Sequence, residues 1–320
     1  MRRLVALVSA LAMALLGVSV ATGASPTNAV VPGVNGRIVF TSVSCGDTCT
    51  FRFVTADPDG TTRTVVAGPY GQHAFDDHSI ANWSPDGTSL IFMAHQAIWQ
   101  VNADGTGLHK VFRGSRTVGM DDGPTFTPDG EHIVFSRCCP NHGGQTLWMI
   151  NTDGTGLEQL TRERTTHGDA PADTTPQVSP DGTHIVFNRC FPVRPCVVST
   201  VTMNGRNRHR LSPPSEFGTR LPNWSPSSRR VVFTMATPRS SAVAVVRADG
   251  SHFHKLTHAR GKSFSTDASY SPDGTKIIFA RGRLSRNGVD LFTMHPDGTR
   301  IARVTDTKTR FEILPQWAVS

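Results

Sequence analysis

Short apolar runs separated by polar turns recur along most of this chain. Residues 82–112 read NWSPDGTSLIFMAHQAIWQVNADGTGLHKVF and contain two Asp-Gly turns, at Asp86 and Asp104. The apolar runs between and beside the turns are Ser89–Phe92, Ile98–Asn102 and Leu108–Phe112. These runs have the length and the β-branched or aromatic composition of strands, and Asp-Gly turns tolerate the positive φ angles of tight hairpins. With the segment before Ser84, one unit predicts a four-stranded antiparallel meander.

The same pattern is repeated in TFTPDGEHIVFS, QVSPDGTHIVFN, NWSPSSRRVVFT and SYSPDGTKIIFA. The first turn of each unit is marked by one residue, and these are Gly87, Gly130, Gly182, Ser228 and Gly274. Their intervals run from 43 to 52 residues, which is the length of one propeller blade. A four-stranded sheet cannot bury two apolar faces alone, so neighbouring units must stack around an axis.

The two ends of the chain predict how the ring closes. Residues 34–40 (VNGRIVF) resemble the second strand of a blade whose first strand is missing, and residues 314–319 (LPQWAV) resemble a first strand with no turn after it. Pairing these ends completes one blade and removes free sheet edges. We therefore predict an all-β fold, a six-bladed β-propeller over 30–320 closed by its N- and C-terminal strands.

The first 29 residues predict an export signal. Arg2 and Arg3 precede an apolar run from Leu4 to Val20, and the small residues near positions 24 and 29 suit a signal peptidase. The alternative is an uncleaved membrane anchor, because the run is close to the minimum spanning length of ~18 residues. We expect cleavage, hence a secreted or extracytoplasmic protein of the cell envelope without a membrane span.

The charge and the cysteine content of the chain indicate which partners and which cellular compartment to expect. The formal net charge of +7 is spread over the repeats without a basic stripe, so a nucleic-acid partner is not expected. Cysteine occurs in three local pairs, which are Cys45/Cys49, Cys138/Cys139 and Cys190/Cys196. In an oxidising compartment these pairs are disulfide candidates, although six cysteines allow fifteen connectivities. A zinc site is the alternative, but no second Cys/His pair lies at zinc-finger spacing.

The recurring W-S-P-D-G-x-x-[IVL]-x-F followed by [AT]-D-G-T, as in residues 83–92 and 103–106, resembles the repeat of TolB-like propellers, also described as WD-like β-propeller repeats. The resemblance covers the chain after about Val34 and implies a six-bladed ring closed by its termini. The repeat occurs in an envelope translocation protein, in propeller domains of prolyl-oligopeptidase-type peptidases and in polysaccharide lyases, so it does not choose a function. The chain lacks the G-x-S-x-G elbow of the peptidases.

Candidate functional residues fall on one face of the predicted disc. First and third turns of every blade lie at one end and carry the Asp-Gly turns, while the other end collects loops of variable length, where binding sites usually lie. The candidate ligand-binding residues on this face are His73, Asp77, His78, Asp121, Asp122, His167, Asp169, Asp173, Arg220, Asp267, Arg310 and Glu312. His78, Asp121, Asp173 and Glu312 share one register position and are expected to ring the channel mouth. The alternative is that such an Asp hydrogen-bonds its own strand and turn.

No catalytic constellation is evident, so we expect no catalytic residues, metal or cofactor, and a monomeric chain. The predicted function is a non-catalytic binding or scaffold module for a protein or glycan partner. The alternative is a metal-assisted carbohydrate-active enzyme, a lyase or hydrolase, that uses a divalent cation at the channel mouth.

Overall fold

The computed structural model describes residues 33–71, 80–114, 121–138, 144–162, 170–214, 217–237, 240–258, 263–283, 288–307 and 309–320. The expected signal segment, residues 1–29, lies outside these ranges. The described residues form twenty-four β-strands and no helix, and so contain no helix that could cross a membrane.

In chain order the strands are β1 (Asn35–Cys45), β2 (Cys49–Ala56), β3 (Thr64–Gly71), β4 (Asn82–Trp83), β5 (Ser89–Ala94), β6 (Ala97–Asn102), β7 (His109–Arg113), β8 (Asp121–Phe126), β9 (His132–Arg137), β10 (Thr146–Asn151), β11 (Glu158–Gln159), β12 (Ala172–Val178), β13 (His184–Cys190), β14 (Val197–Thr202), β15 (His209–Arg210), β16 (Thr219–Trp224), β17 (Arg230–Thr237), β18 (Ser240–Arg247), β19 (His254–Lys255), β20 (Ser263–Tyr270), β21 (Ile277–Arg283), β22 (Val289–Met294), β23 (Ala302–Arg303) and β24 (Arg310–Val319).

Consecutive strands pair into antiparallel sheets of four, as the repeat predicts. Strands β4–β7, β8–β11, β12–β15 and β16–β19 form four separate sheets, here called blades 2 to 5. The remaining strands form one eight-stranded sheet, in which β20–β23 are blade 6 and β24 with β1–β3 is blade 1. These two blades are joined by a single parallel bridge between Val289 and Phe311. The architecture is a six-bladed β-propeller.

The chain termini close the ring. β24 is the innermost strand of blade 1 and pairs antiparallel with β1, with Trp317 opposite Ile38 and Gln316 opposite Val39. The first blade therefore takes one strand from the C-terminus and three from the N-terminus. This confirms the closure that the incomplete end repeats predict.

The first turn of each unit requires a left-handed residue. Gly87 has φ 68°, and Ser228, which replaces glycine in blade 5, adopts the same region with φ 56°. Asp86 precedes Gly87 and accepts hydrogen bonds from the backbone N–H and the hydroxyl of Thr88, at 3.0 and 2.8 Å. Blade 5 replaces this aspartate by Ser227, which contacts the Ser225 hydroxyl at 3.2 Å.

The apolar core lies between the blades. Each second strand buries one phenylalanine, with at most 1% of its surface exposed, and these are Phe40, Phe92, Phe135, Phe187, Phe233 and Phe279. Each buried cluster draws on two neighbouring blades; Val39 of blade 1, for example, packs with Phe92 of blade 2. Burying one such side chain contributes about 1.5–3 kcal/mol. A single blade would leave these rings in water, which explains why the unit is repeated.

Candidate functional site

The aspartate carboxylates of the Asp-Gly turns accept hydrogen bonds from residues of the same turn. Asp104, Asp153 and Asp297 each accept the backbone N–H and the hydroxyl of the threonine two positions later, at 2.6–2.9 Å. The threonine hydroxyl, followed by its backbone N–H, lowers the pKa of each of these aspartates below the ordinary value of 3.8. These turns are therefore structural units whose acceptors are already occupied.

Among the described residues, Asp129, Glu131 and His132 form one grouping whose side chains could hold a metal ion, with ligand atoms within 4.8 Å of one another. The grouping lies in the first turn of blade 3. Asp129 there accepts hydrogen bonds from the Thr127 hydroxyl and the Glu131 N–H, at 2.6 and 3.0 Å. The same pattern occurs in turns without a neighbouring histidine, so the geometry is explained by the turn itself.

The opposite end of the blades carries the cysteines. Disulfides join Cys45 to Cys49 and Cys190 to Cys196, which confirms two of the predicted pairs. Each closes the connection between the second and third strands of its blade. Cys138, in the equivalent connection of blade 3, is also disulfide-bonded, and its predicted partner Cys139 lies outside the described residues. We call this end of the disc the loop face, and the other end the turn face.

Asp173 is fully buried in a polar network at the loop-face end of β12. Its Oδ1 lies 2.8 Å from Arg189 Nη1, and its Oδ2 lies 3.8 Å from Arg208 Nη2. The Thr161 hydroxyl, from the preceding blade, donates to Oδ2 at 3.2 Å, and the Asp173 N–H donates to the Gln145 carbonyl at 2.8 Å. Asp173 therefore ties blade 3 to blade 4.

Glu312 occupies the equivalent register position in β24 and is likewise buried. Its Oε1 accepts a hydrogen bond from Arg63 Nη1 at 2.8 Å. Burial raises the pKa of Glu312, while the Thr305 hydroxyl and the Arg63 guanidinium lower it, and the net shift is upward. Asp173 and Glu312 thus have separate arginine partners.

The other predicted site residues are distributed over several environments. Asp267 is buried and accepts hydrogen bonds from the Thr266 hydroxyl and from the Leu314 N–H of blade 1. Arg220 and Arg310 are exposed, and Asp122 is partly buried in β8. The backbone of Asp121 pairs with Arg137. His73, Asp77, His78, His167 and Asp169 lie outside the described residues.

The central channel is crossed by polar side chains that the sequence analysis does not single out. They precede the last residue of the first-strand motif in each repeat, and they are Asn82, Thr125, Gln177, Asn223, Ser269 and Gln316. Gln177 Nε2 donates to Asn82 Oδ1 at 3.3 Å, and Asn223 Nδ2 donates to Gln316 Oε1 at 3.0 Å. A cavity of about 10 Å³ remains beside them, about the volume needed by one water. Aligning the six repeats would identify these residues, because a polar side chain recurs at this one position in every unit.

An arginine that the repeat pattern did not single out recurs on the second strands. The second residue after the buried phenylalanine is arginine in blades 3, 4 and 6, as Arg137, Arg189 and Arg281. Arg137 lies over the rings of Phe112 and Trp148, at 5.3 and 5.4 Å from the ring centroids. Stacking on aromatic rings holds such guanidinium groups in fixed positions at the loop-face side of the sheets.

The closed ring of four-stranded blades, its Asp-Gly turn face and its inter-blade carboxylates define a TolB-like β-propeller fold. No protein-family model matches the chain. A curated relative, the protein TolB homolog of Chlorobium luteolum, is 33% identical over 127 residues. That match covers 39% of this chain and 28% of the relative.

Solved structures support the same fold. TolB from Acinetobacter baumannii superposes with a TM-score of 0.70 at 18% identity, covering 89% of this chain and 67% of that protein. An oligogalacturonate lyase in complex with manganese superposes with a TM-score of 0.54 at 13% identity, covering 86% of this chain and 74% of the lyase. At such identities the similarity establishes the architecture and leaves the activity open.

Proposed function

We propose that this chain is an exported, non-catalytic binding module of the cell envelope or extracellular space, which holds a protein or glycan partner on its loop face. The observation that carries the proposal is the contrast between the two ends of the disc. The turn-face carboxylates are occupied by their own turns, whereas the loop face carries cross-linked loops on a rigid scaffold.

Export is supported by the disulfides as well as by the N-terminal sequence. Disulfides persist in oxidising compartments and are rare in the cytosol. Both Cys45–Cys49 and Cys190–Cys196 bridges brace connections on the loop face. A braced loop loses less conformational entropy when a partner binds, which favours a recognition role.

Two exposed apolar side chains on the loop face support this proposal. Val193, inside the Cys190–Cys196 loop, is 90% exposed, and Phe217, in the connection between blades 4 and 5, is 46% exposed. Thr219 N–H donates to the Cys196 carbonyl at 3.0 Å, so this connection is held against the disulfide loop. Exposed aromatic and apolar groups of this kind anchor protein interfaces.

Site-specific photo-crosslinking in the producing cell tests this proposal. A photoreactive benzoylphenylalanine placed at Val193 is expected to give discrete partner adducts. The same group at Leu157, which is 41% exposed beside the third turn of blade 3, is the matched turn-face control and is expected to give none. Equal labelling at both positions, or no adduct at Val193, would contradict the proposal.

A different measurement distinguishes the binding module from the alternative, a metal-assisted enzyme. Selective binding of a cation to the folded chain at about a hundred times its dissociation constant adds roughly 2.7 kcal/mol of stability. Thermal unfolding after EDTA treatment is therefore compared with unfolding in Ca²⁺, Mn²⁺ or Zn²⁺. A metal-specific rise that Asp121→Asn abolishes would favour the enzyme, and equal unfolding temperatures favour the binding module.

A further inference from the structure

A cleft of about 410 Å³ opens on one face of blade 4, at the loop-face side. Its lining includes four arginines, which are Arg189, Arg194, Arg208 and Arg210. Arg189 and Val197 lie opposite each other on β13 and β14, and Arg210 lies opposite Ser199 on β14 and β15. Directly opposed residues project from the same side of a sheet, so the register itself brings these arginines together.

The side chain opposite the buried phenylalanine is smaller in blade 4 than in three other blades. The residue opposite the buried phenylalanine of the second strand is Trp99 in blade 2, Trp148 in blade 3 and Phe292 in blade 6. In blade 4 it is Ser199, opposite Phe187. Ser199 therefore lines the cleft with a hydroxymethyl group at the position where those blades carry a ring.

The arginines of the cleft are positioned before any ligand arrives. The Cζ atoms of Arg189 and Arg194 lie 5.6 and 4.7 Å from the centroid of the Phe191 ring. Arg210 Nε donates to the Ser212 carbonyl at 2.8 Å, which fixes the direction of its guanidinium. Cys190–Cys196 closes the loop that carries Phe191 and Arg194.

Positive charge exceeds negative charge in the described part of this cleft. Asp173 is the carboxylate paired there, with Arg189 at 2.8 Å and Arg208 at 3.8 Å. Arg194 and Arg210 form no ion pair with any described residue. Guanidinium groups bind carboxylates in a two-point geometry, so two arginines without acidic partners suit a ligand with more than one carboxylate.

The geometry points to an acidic peptide segment of a partner protein, with apolar side chains between its carboxylates, as the ligand of this cleft. The arginines bind the carboxylates, and the exposed Val193 and Phe217 beside the cleft receive the apolar side chains. Arginine and aromatic residues are the side chains that dominate binding energy at protein interfaces. This inference rests on the proposed loop-face function and specifies the chemistry of the partner.

Fluorescence anisotropy with a labelled (Glu-Leu)₃ peptide tests the inference on the purified chain. Arg194→Ala and Arg210→Ala are each expected to weaken binding about tenfold, the effect of one lost charge-assisted hydrogen bond. Arg303→Ala is the matched control, because Arg303 is the blade 6 equivalent of Arg210 and is paired with Asp290 at 2.6 Å. Unchanged binding in Arg194→Ala and Arg210→Ala, or equal loss in Arg303→Ala, overturns the inference.

Two further binding measurements distinguish an acidic peptide with apolar side chains from other acidic ligands. Labelled hexaglutamate is expected to bind at least several-fold more weakly than (Glu-Leu)₃, and Phe217→Ala is expected to remove that difference. Tetragalacturonate competing as well as the peptide would show that the cleft takes an acidic glycan, and would overturn the choice of a peptide. Unfolding midpoints equal to that of the unsubstituted chain confirm that each variant is folded. If the loop face gives crosslinks but peptide binding does not depend on Arg194 or Arg210, the inference about this cleft is wrong and the proposed function still stands.

Discussion

Blades 4 and 6 place arginines at two equivalent positions of their clefts, but among the described residues the arginine of the fourth strand is paired with an acid in blade 6 and not in blade 4. Arg189 corresponds to Arg281, and Arg210 corresponds to Arg303. In blade 6, Asp290 faces the cleft of about 770 Å³ and binds Arg303 at 2.6 Å, which raises the pKa of that arginine. In blade 4 the residue equivalent to Asp290 is valine.

The difference teaches that one substitution on a repeated frame can decide whether an arginine of the cleft has an acidic partner within its own blade. Arg281 and Arg189 follow the same buried phenylalanine, and both guanidinium groups lie over aromatic rings. The framework therefore sets where the arginines lie. The residue opposite them, Asp290 or Val197, sets whether the arginine of the fourth strand has an acidic partner.

The largest expected effect concerns the buried carboxylate below the blade 4 cleft. Asp173→Asn breaks the buried ion pair with Arg189, whose side chain is 10% exposed, and is expected to cost about 3–5 kcal/mol of unfolding free energy. Asp290→Asn is the blade 6 control. It is expected to cost about 1 kcal/mol or less, because the Arg303 side chain is 45% exposed. Urea unfolding measures both, and equal losses would contradict the contrast.

Removing the blade 4 disulfide has the next largest expected effect. The double substitution Cys190→Ala with Cys196→Ala opens a loop with a sequence separation of 6, which is expected to cost about 2 kcal/mol of stability. It also frees the loop that holds Arg194, so peptide affinity should fall. The matched control is Cys45→Ala with Cys49→Ala in blade 1, with a separation of 4. The control should lose comparable stability in the same thermal unfolding measurement and keep its affinity, and a loss of affinity in both would argue against a local role.

Transferring the blade 6 carboxylate into blade 4 tests the comparison directly. Val197→Asp places an acid opposite Arg189, at the position of Asp290, and should neutralise part of the cleft. We expect (Glu-Leu)₃ binding to weaken about tenfold, or about 1.4 kcal/mol, with little change in unfolding temperature. The reverse variant, Asp290→Val, should increase peptide binding to blade 6. Affinity unchanged by Val197→Asp would place the peptide elsewhere.

The smallest expected effect is a pH dependence of stability that the third turn of blade 6 has and the third turn of blade 4 lacks. Asp297 in blade 6 has a pKa lowered below 3.8, mainly by the Thr299 hydroxyl, whereas blade 4 has Asn204 at the same place. A carboxylate whose pKa is lower in the folded state stabilises above its unfolded pKa, and this contribution disappears as the pH falls through the folded value. Asp297→Asn should therefore lower the unfolding temperature slightly near neutral pH and match the unsubstituted chain in acid. A constant difference at all pH values would refute this assignment.

Much of the scaffold is predictable from sequence because the repeat encodes it locally. The Asp-Gly turns between apolar runs predicted the hairpins. The incomplete repeats at the two ends of the chain predicted the pairing of β1 with β24. The strand bounds differ slightly, since Leu108–Phe112 is predicted where β7 covers His109–Arg113. The fourth strands of blades 3 to 6 shorten to two paired residues each, whereas those of blades 1 and 2 keep eight and five.

The candidate site was less predictable because it depends on contacts between side chains that are separated in the sequence. Asp173 and Glu312 share a register position that sequence counting identifies, but their partners Arg189 and Arg63 come from elsewhere in the chain. Arg63 and Glu312 are 249 residues apart. The strand pattern places each residue on a strand, but it does not show which side chain from another strand or turn will reach it.

The sequence by itself determined the β-propeller, its blade count, its closure and two of its disulfides, because period, turn chemistry and cysteine spacing are local properties. Only the tertiary structure decided which charges meet. The polar ring across the channel, the burial of Asp173 and the open cleft beside Ser199 all arise where blades or strands face each other. Such meetings depend on sheet register and on the volume of the opposing side chain, and these are fixed only when the ring is assembled.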